Sequence, residues 1–144
     1  MERTAEDVDL FIAGCGQPEA MARLDALIVA ALPDAGRVLW RGDFWGGGEQ
    51  AIIGYGDLRQ QRPRGKTAEW FLVGLALQKR HFSLYVNAVR DGRYLGQAYG
   101  ASLGKVRVGS AAITFASPDS LDVAEVREML AEAAHQLPPQ PAQP

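Results

Sequence analysis

The chain has a single cysteine, Cys15, so no disulfide can form within it. It lacks any apolar run close to the roughly 20 residues of a membrane helix, and its acidic, polar first residues are unlike a signal peptide. It also lacks a charge excess, with 15 Lys and Arg against 17 Asp and Glu. No global field therefore favours nucleic acid. These absences predict a cytoplasmic protein that binds neither membrane nor nucleic acid and needs no cofactor.

What is present is typical of one globular domain: 144 residues, 47% of them hydrophobic and 22% charged. Helical patterns occupy both ends. Thr4 and Asp7 form a variant capping box for a short first helix, and Pro18 suits the first turn of a second one, which Pro33 stops. Asp122 caps a last helix, whose predicted apolar face is Val123, Val126, Leu130, Ala133 and Leu137.

Between these helices the period changes to two, which predicts strands over 38–40, 51–55, 70–77, 82–87 and 111–115. In the third strand, Phe71 and Val73 are predicted to share one face, while Gly74 and Ala76 leave the other face shallow. The polar stretch 57–68 is predicted to be a loop, and 94–99 a short helix.

The order of these elements predicts an α+β fold of two layers. A mainly antiparallel sheet of about five strands would carry the N- and C-terminal helices packed on one face. Residues 1–137 would form a single domain, and the proline-rich residues 138–144 a disordered tail.

Several segments occur in a familiar order. They are Ala31-Leu32-Pro33, Val38-Leu39-Trp40-Arg41, Ile53-Gly54-Tyr55-Gly56, Glu69-Trp70-Phe71, Leu77-Gln78-Lys79, Ser83-Leu84-Tyr85-Val86 and Leu103-Gly104-Lys105-Val106-Arg107-Val108-Gly109. From about Thr4 to Leu137, the chain resembles the YdhG-like family of small bacterial domains, a family largely of unknown function. It departs from that family in having Gly109-Ser110-Ala111-Ala112 where the family typically has Gly-Lys-Ser-Cys, and in lacking the proline of the Trp-Gly-x-Pro turn. One relative is regarded as a frataxin-like iron chaperone, so the resemblance implies iron binding or delivery as an alternative function.

Common catalytic motifs are missing. Arg64-Gly65-Lys66-Thr67 is not a phosphate-binding loop, because position 60 is Gln60 and the segment precedes a strand. His81, His135 and Cys15 show no metal-ligand spacing. Since no serine has a nucleophile-elbow motif either, the sequence favours a non-enzymatic module, although residues that meet only in the folded chain could still form an active site.

A basic and aromatic group is the preferred candidate site. Lys105 and Arg107 alternate in a segment predicted to be extended, so both side chains would point the same way. Arg41 lies at a strand end, and Tyr55 and Tyr85 could form walls. The group predicts a site for a small anion or an acidic protein partner. The alternative is a solvated strand edge whose charges prevent edge pairing.

A second candidate is an acidic surface of the first two helices, with Glu6, Asp7 and Asp9 as the possible metal ligands. The acidic residues predicted to gather there are Glu2, Glu6, Asp7, Asp9, Glu19 and Asp25. Carboxylates suit hard cations, which agrees with the iron-binding alternative. Acidic first turns also complement helix dipoles without any ligand. Taken together, the residues predict a small-ligand binding or protein-interaction module, either monomeric or homodimeric.

Overall fold

A seven-stranded antiparallel sheet is the main feature of the described residues in the computed structural model. Those residues are 1–43, 48–61 and 67–137, with backbone only at 59–61 and 67–68. The elements, in chain order, are β1 (Glu2–Arg3), α1 (Val8–Gly14), α2 (Pro18–Ala31), β2 (Arg37–Asp43), β3 (Glu49–Gln61), β4 (Thr67–Leu77), β5 (Phe82–Val86), β6 (Val89–Arg90), β7 (Arg93–Tyr94), α3 (Leu95–Tyr99), β8 (Arg107–Val108), β9 (Ala112–Phe115) and α4 (Val123–Ala134). The strand order is β1-β2-β3-β4-β5-β9-β8, and β6 and β7 form a separate hairpin.

The α+β class and the antiparallel sheet confirm the prediction, but the sheet contains more strands than the five expected. The additional strands in it, β1 and β8, are two residues each, too short to show a period of two. The predicted β4–β5 hairpin is present, with Val73 paired to Val86 and Leu77 to Phe82. The short helix predicted near 94–99 is α3.

The loop predicted over 57–68 is wrong at both of its ends. β3 continues to Gln61 and β4 begins at Thr67, and the two strands pair from Asp57 opposite Phe71 to Gln61 opposite Thr67. The part of β3 beyond Tyr55 is mostly polar, so it shows no alternation of apolar residues that would predict a strand. It is a strand because its backbone pairs with β4. Pro63 and Gly65, residue types that are common in loops, lie outside the described residues. The predicted disordered tail at 138–144 also lies outside them.

The helix starts follow capping chemistry. α1 is capped by Asp7, whose Oδ1 accepts a hydrogen bond of 3.0 Å from the Leu10 amide, and not by Thr4 as expected. The Thr4 hydroxyl instead donates to the Leu39 carbonyl at 2.8 Å, which ties the chain entering α1 to β2. The predicted starts of the other two long helices are confirmed, with Pro18 opening α2 and Asp122 capping α4.

Two clusters of buried side chains surround the sheet. The larger one combines residues of α1, α2 and α4, including Val126 at 1% and Leu130 at 0% exposure, with strand residues such as Leu39. The smaller one contains Trp40, Ile52, Phe71, Ala76 and Tyr85. Alternation along β2 explains the separation, since Leu39 belongs to one cluster and its neighbour Trp40 to the other.

Glycines make room for the rings of the smaller cluster. A Cβ atom added at Gly54 would lie 2.6 Å from Nε1 of Trp40, and one at Gly74 would lie 2.6 Å from Cε2 of Phe71. Phe71 therefore does not share a face with Val73 as predicted, since Val73 belongs to the larger cluster. The alternation of side chains between the two faces breaks in β4 between Phe71 and Val73. This position lies opposite Gly56 of β3, whose φ of 78° interrupts the regular extension of that strand.

None of the helices in the described part of the chain is long and apolar enough to span a membrane.

Candidate functional site

The structure separates the two tyrosines that were predicted to line one site. Tyr55 belongs to the larger cluster and is 1% exposed, whereas Tyr85 belongs to the smaller cluster and is 7% exposed. The hydroxyl of Tyr85 accepts a hydrogen bond of 3.1 Å from Nε2 of Gln78. Because the two rings lie in different clusters of the same sheet, they do not form walls of a common pocket.

The predicted basic residues are also separated. Arg41 lies on β2 and Arg107 on β8, with four strands between them in the sheet order. Five strand spacings of about 4.8 Å correspond to roughly 24 Å. A single small ligand cannot contact both guanidinium groups across that distance.

Lys105 and Arg107 are both exposed, but the segment between them is not continuously extended. The Val106 amide donates to the Gly104 carbonyl at 3.0 Å, a bond that closes a three-residue turn centred on Lys105. Arg107 pairs with Thr114, which pairs in turn with Ser83, so these three residues share a face of the sheet. Tyr85 lies two residues from Ser83 on that same face, so Arg107 and Tyr85 share one face of the sheet. Arg41 lies on the same face of β2 as Arg37, and Arg37 is paired with Tyr55, so Arg41 and Tyr55 share the other face.

Tyr55 takes part in a polar network at the junction of α2 with the sheet. Its hydroxyl donates to Oδ1 of Asp25 at 2.7 Å, and Nη1 of Arg37 donates to Oδ2 of Asp25 and to Oδ1 of Asp9, each at 3.0 Å. Burial raises the pKa of Tyr55 well above its usual value, and the neighbouring Asp25 carboxylate adds to this. Tyr55 is therefore a neutral hydrogen-bond donor inside the domain.

The three carboxylates of the predicted metal site have separate protein partners. Glu6 pairs with Arg41, Asp7 caps α1, and Asp9 pairs with Arg37. Hydrogen bonds from these arginines lower the pKa values of Glu6 and Asp9. Among the residues that the structure describes, no group of three or more His, Cys, Asp or Glu could hold a metal ion. Iron binding remains a prediction that depends on the family resemblance.

A hollow along α1 brings residues of both predicted sets together. It has a volume of about 480 Å³. We call it the α1 groove, and it is lined by Glu6, Asp7, Leu10, Phe11, Gly14, Cys15 and Arg41. Leu10 is 73% exposed, more than any other large hydrophobic residue in the described ranges. Leu10 therefore presents an exposed apolar side chain beside the charged residues that line the same hollow.

Arg41 is held in a fixed position at the edge of this groove. Its Nε and Nη2 donate to the two carboxylate oxygens of Glu6 at 2.6 and 3.0 Å, a bidentate arrangement. Its guanidinium carbon lies 5.6 Å from the centre of the Phe11 ring. Within the described residues, Nη1 of Arg41 has no hydrogen-bond partner, so this nitrogen can donate to a bound molecule.

The sequence did not single out Leu10 as part of a site. At helical spacing Val8, Phe11 and Ile12 form the apolar face of the first helix, and Leu10 falls outside it. The sequence did contain a signal for this residue: Leu10 is a large apolar residue at a position that the helical period assigns to solvent.

Comparison with known proteins adds no relative. No protein-family model, curated protein or solved structure matches the chain. Membership of the YdhG-like family stays a prediction.

Proposed function

We propose that this domain is a non-enzymatic protein-interaction module whose contact surface is the α1 groove. The observation that carries this proposal is the exposure of Leu10, at 73%, next to an apolar hollow of about 480 Å³. Exposed apolar side chains beside a preformed hollow, with charged groups at the rim, are the ordinary arrangement of protein interfaces.

The proposal requires α1 to present its outer surface to solvent. We infer that the helices cover the face of the sheet that carries Leu39, since α1, α2 and α4 share one buried cluster with that residue. The inner side of α1 supplies Val8 and Ile12 to this cluster, at 7% and 6% exposure. Leu10 points away from it, which leaves the groove on the outside of the domain.

The charges at the rim indicate the partner's chemistry. Glu6 and Asp7 line the groove together with Arg41, so the lining carries one more negative than positive charge. In the β1–β2 register Glu2 lies opposite Arg41. The pKa of Arg41 is raised mainly by its hydrogen bond with Glu6, and the Glu49 carboxylate adds to this. The fitting partner is therefore a peptide segment that places an apolar side chain next to a Lys or Arg.

Selection from a random peptide library tests this proposal. We expect wild-type protein to enrich peptides in which an apolar residue adjoins Lys or Arg. Those peptides should bind Leu10→Ser about tenfold more weakly, because the exposed apolar contact is lost. Asp7→Asn keeps a good N-cap while removing the charge, so it should weaken binding several-fold without affecting the helix.

The matched control is Val29→Ser, an apolar residue of α2 that is 41% exposed and does not line the groove. It should bind the selected peptides as tightly as wild type does. Enrichment of peptides without the apolar–basic pattern would contradict the proposal. So would equal binding by wild type and Leu10→Ser.

A second candidate function is anion binding at the β8 edge, as the sequence predicted for Lys105 and Arg107. It is favoured by one observation: within the described residues, neither side chain forms an ion pair. A double substitution, Lys105→Ala with Arg107→Ala, should abolish retention of the domain on a phosphate-bearing resin at low salt. Unchanged retention would refute this candidate, and α1 groove variants serve as its controls.

A further inference from the structure

A second hollow lies between α2 and α4, on elements that the α1 groove does not use. It has a volume of about 340 Å³. Its apolar lining comes from both helices and from the turn before α4: Leu24, Leu27, Leu121 and Val123. Leu24 and Leu121 are buried at 3% and 9% exposure, so this floor belongs to the packed core and is fixed. We call this hollow the α2–α4 groove.

Each helix contributes one guanidinium group to the groove. Arg23 comes from α2 and Arg127 from α4, and the lining contains no carboxylate among the described residues. This charge pattern is opposite to that of the α1 groove, whose lining includes Glu6 and Asp7. An apolar floor with two guanidinium groups at its rim, one of them also paired with the exposed Asp119, is complementary to a molecule that has an apolar body and an anionic head.

The two guanidinium groups retain donors for a ligand. Arg127 has no ion pair or side-chain hydrogen bond within the described residues, and Arg23 uses only Nη1, which contacts Oδ1 of Asp119 at 2.8 Å. That ion pair is highly exposed, with side-chain exposures of 57% and 80%, so solvent screens it. Nε and Nη2 of Arg23 have no partner in the part of the chain that the structure describes.

We propose that the α2–α4 groove binds a small amphipathic carboxylate of the fatty-acid class. The hydrocarbon chain would lie on Leu24, Leu27 and Leu121, and the carboxylate would accept hydrogen bonds from Arg23 and Arg127. The volume is near the lower end of small-molecule sites, which fits one unbranched chain better than a protein helix. Guanidinium groups match carboxylates in geometry as well as in charge.

Calorimetric titration with decanoate, kept below its micelle concentration, tests the proposal. We expect saturable binding with one site per chain. Decanol has the same apolar body without the charge and should bind at least about tenfold more weakly, as should decyltrimethylammonium, whose head is repelled. Arg23→Gln and Arg127→Gln should each weaken decanoate binding several-fold, and the double variant more than either.

Two further variants separate the groove from other surfaces. Ala26, an exposed residue in the lining, can be changed to Phe to fill the hollow without altering charge, and binding should then be lost. Arg80→Gln, in the exposed β4–β5 connection, should bind decanoate as wild type does. Leu10→Ser should also bind normally, so a failure of the α1 groove proposal would leave this one standing. Circular dichroism confirms that each variant is folded.

Four results would overturn the proposal. The first is an absence of saturable heat with decanoate. The second is equal affinity for decanoate and decanol. The third is equal affinity of wild type and the Arg23→Gln, Arg127→Gln double variant for decanoate. The fourth is amide chemical-shift changes that fall on α1 and not on α2 and α4 when decanoate is added.

Discussion

The hydroxyl of Tyr55 donates a hydrogen bond of 2.7 Å to the carboxylate of Asp25, inside the domain. Tyr55 is on β3 and Asp25 on α2, so this bond connects the sheet to the longest described helix. The second oxygen of Asp25 accepts from Arg37 of β2, which fixes the carboxylate from both sides. A polar link of this kind specifies how the helix is placed on the strands.

Replacement of Tyr55 by Phe should destabilise the domain. The change removes one donor and leaves an oxygen of Asp25, whose side chain is only 13% exposed, without that partner. We expect the free energy of unfolding to fall by about 1–3 kcal/mol, measured by urea denaturation. Tyr94→Phe is the control, since the Tyr94 hydroxyl has no hydrogen bond within the described residues. A loss of similar size in both variants would contradict the role of the Asp25 bond.

The fold class was predictable because it depends on local signals. Asp122 followed by Glu125 is sufficient to locate the start of α4, and Pro18 the start of α2. The alternation of 82–86 likewise locates β5. The two-residue strands were not predictable, because two residues contain no period.

The candidate site was less predictable because it depends on which face each strand residue occupies. Because alternation breaks opposite Gly56, Phe71 and Val73 lie on different faces of the sheet. No residue type within β4 predicts this break. The strand order places Arg41 and Arg107 near opposite edges of the sheet. Pairing order is set by contacts between distant segments, so one sequence read along its length cannot supply it.

Gly54→Ala tests the packing of the aromatic cluster on the sheet. The new Cβ would lie 2.6 Å from Nε1 of Trp40 and 2.9 Å from Cβ of Phe71, so both side chains must shift. Overpacking of this kind costs about 1–3 kcal/mol, which thermal and urea unfolding would both detect. Gly36→Ala is the matched control, because a Cβ there meets nothing within 4 Å. Equal stability of the two variants would show that the cluster is loosely packed.

The ion pair of Glu6 with Arg41 predicts a dependence of stability on pH. Its hydrogen bond to Arg41 holds the pKa of Glu6 below the ordinary value of 4.5. A carboxyl with a lowered folded-state pKa stabilises the fold above its ordinary pKa and loses that contribution as pH falls through the lowered value. The melting temperature of Glu6→Gln should thus be lower than that of wild type at pH 7, and the difference should shrink below pH 4.5.

Glu128→Gln is the control for this experiment, since Glu128 forms no salt bridge in the described ranges. Its difference from wild type should change less with pH than that of Glu6→Gln. High salt should also reduce the effect of Glu6→Gln at pH 7, because both side chains are about 40% exposed. A difference for Glu6→Gln that is independent of pH would rule out the ion pair as its cause.

Gln136, just after α4, binds the β6–β7 hairpin through its side-chain amide, which forms hydrogen bonds with both backbone groups of Val89 as a neighbouring strand would. Its side-chain oxygen accepts from the Val89 amide at 3.1 Å, and its side-chain nitrogen donates to the Val89 carbonyl at 2.6 Å. Gln136→Ala removes both bonds, so the Val89 amide should exchange with solvent faster while global stability changes little. Hydrogen exchange followed by NMR measures this directly. Glu132 pairs with Arg90 nearby, so the hairpin stays attached in Gln136→Ala. Unchanged exchange at Val89 would mean that the hairpin itself, and not Gln136, protects this amide.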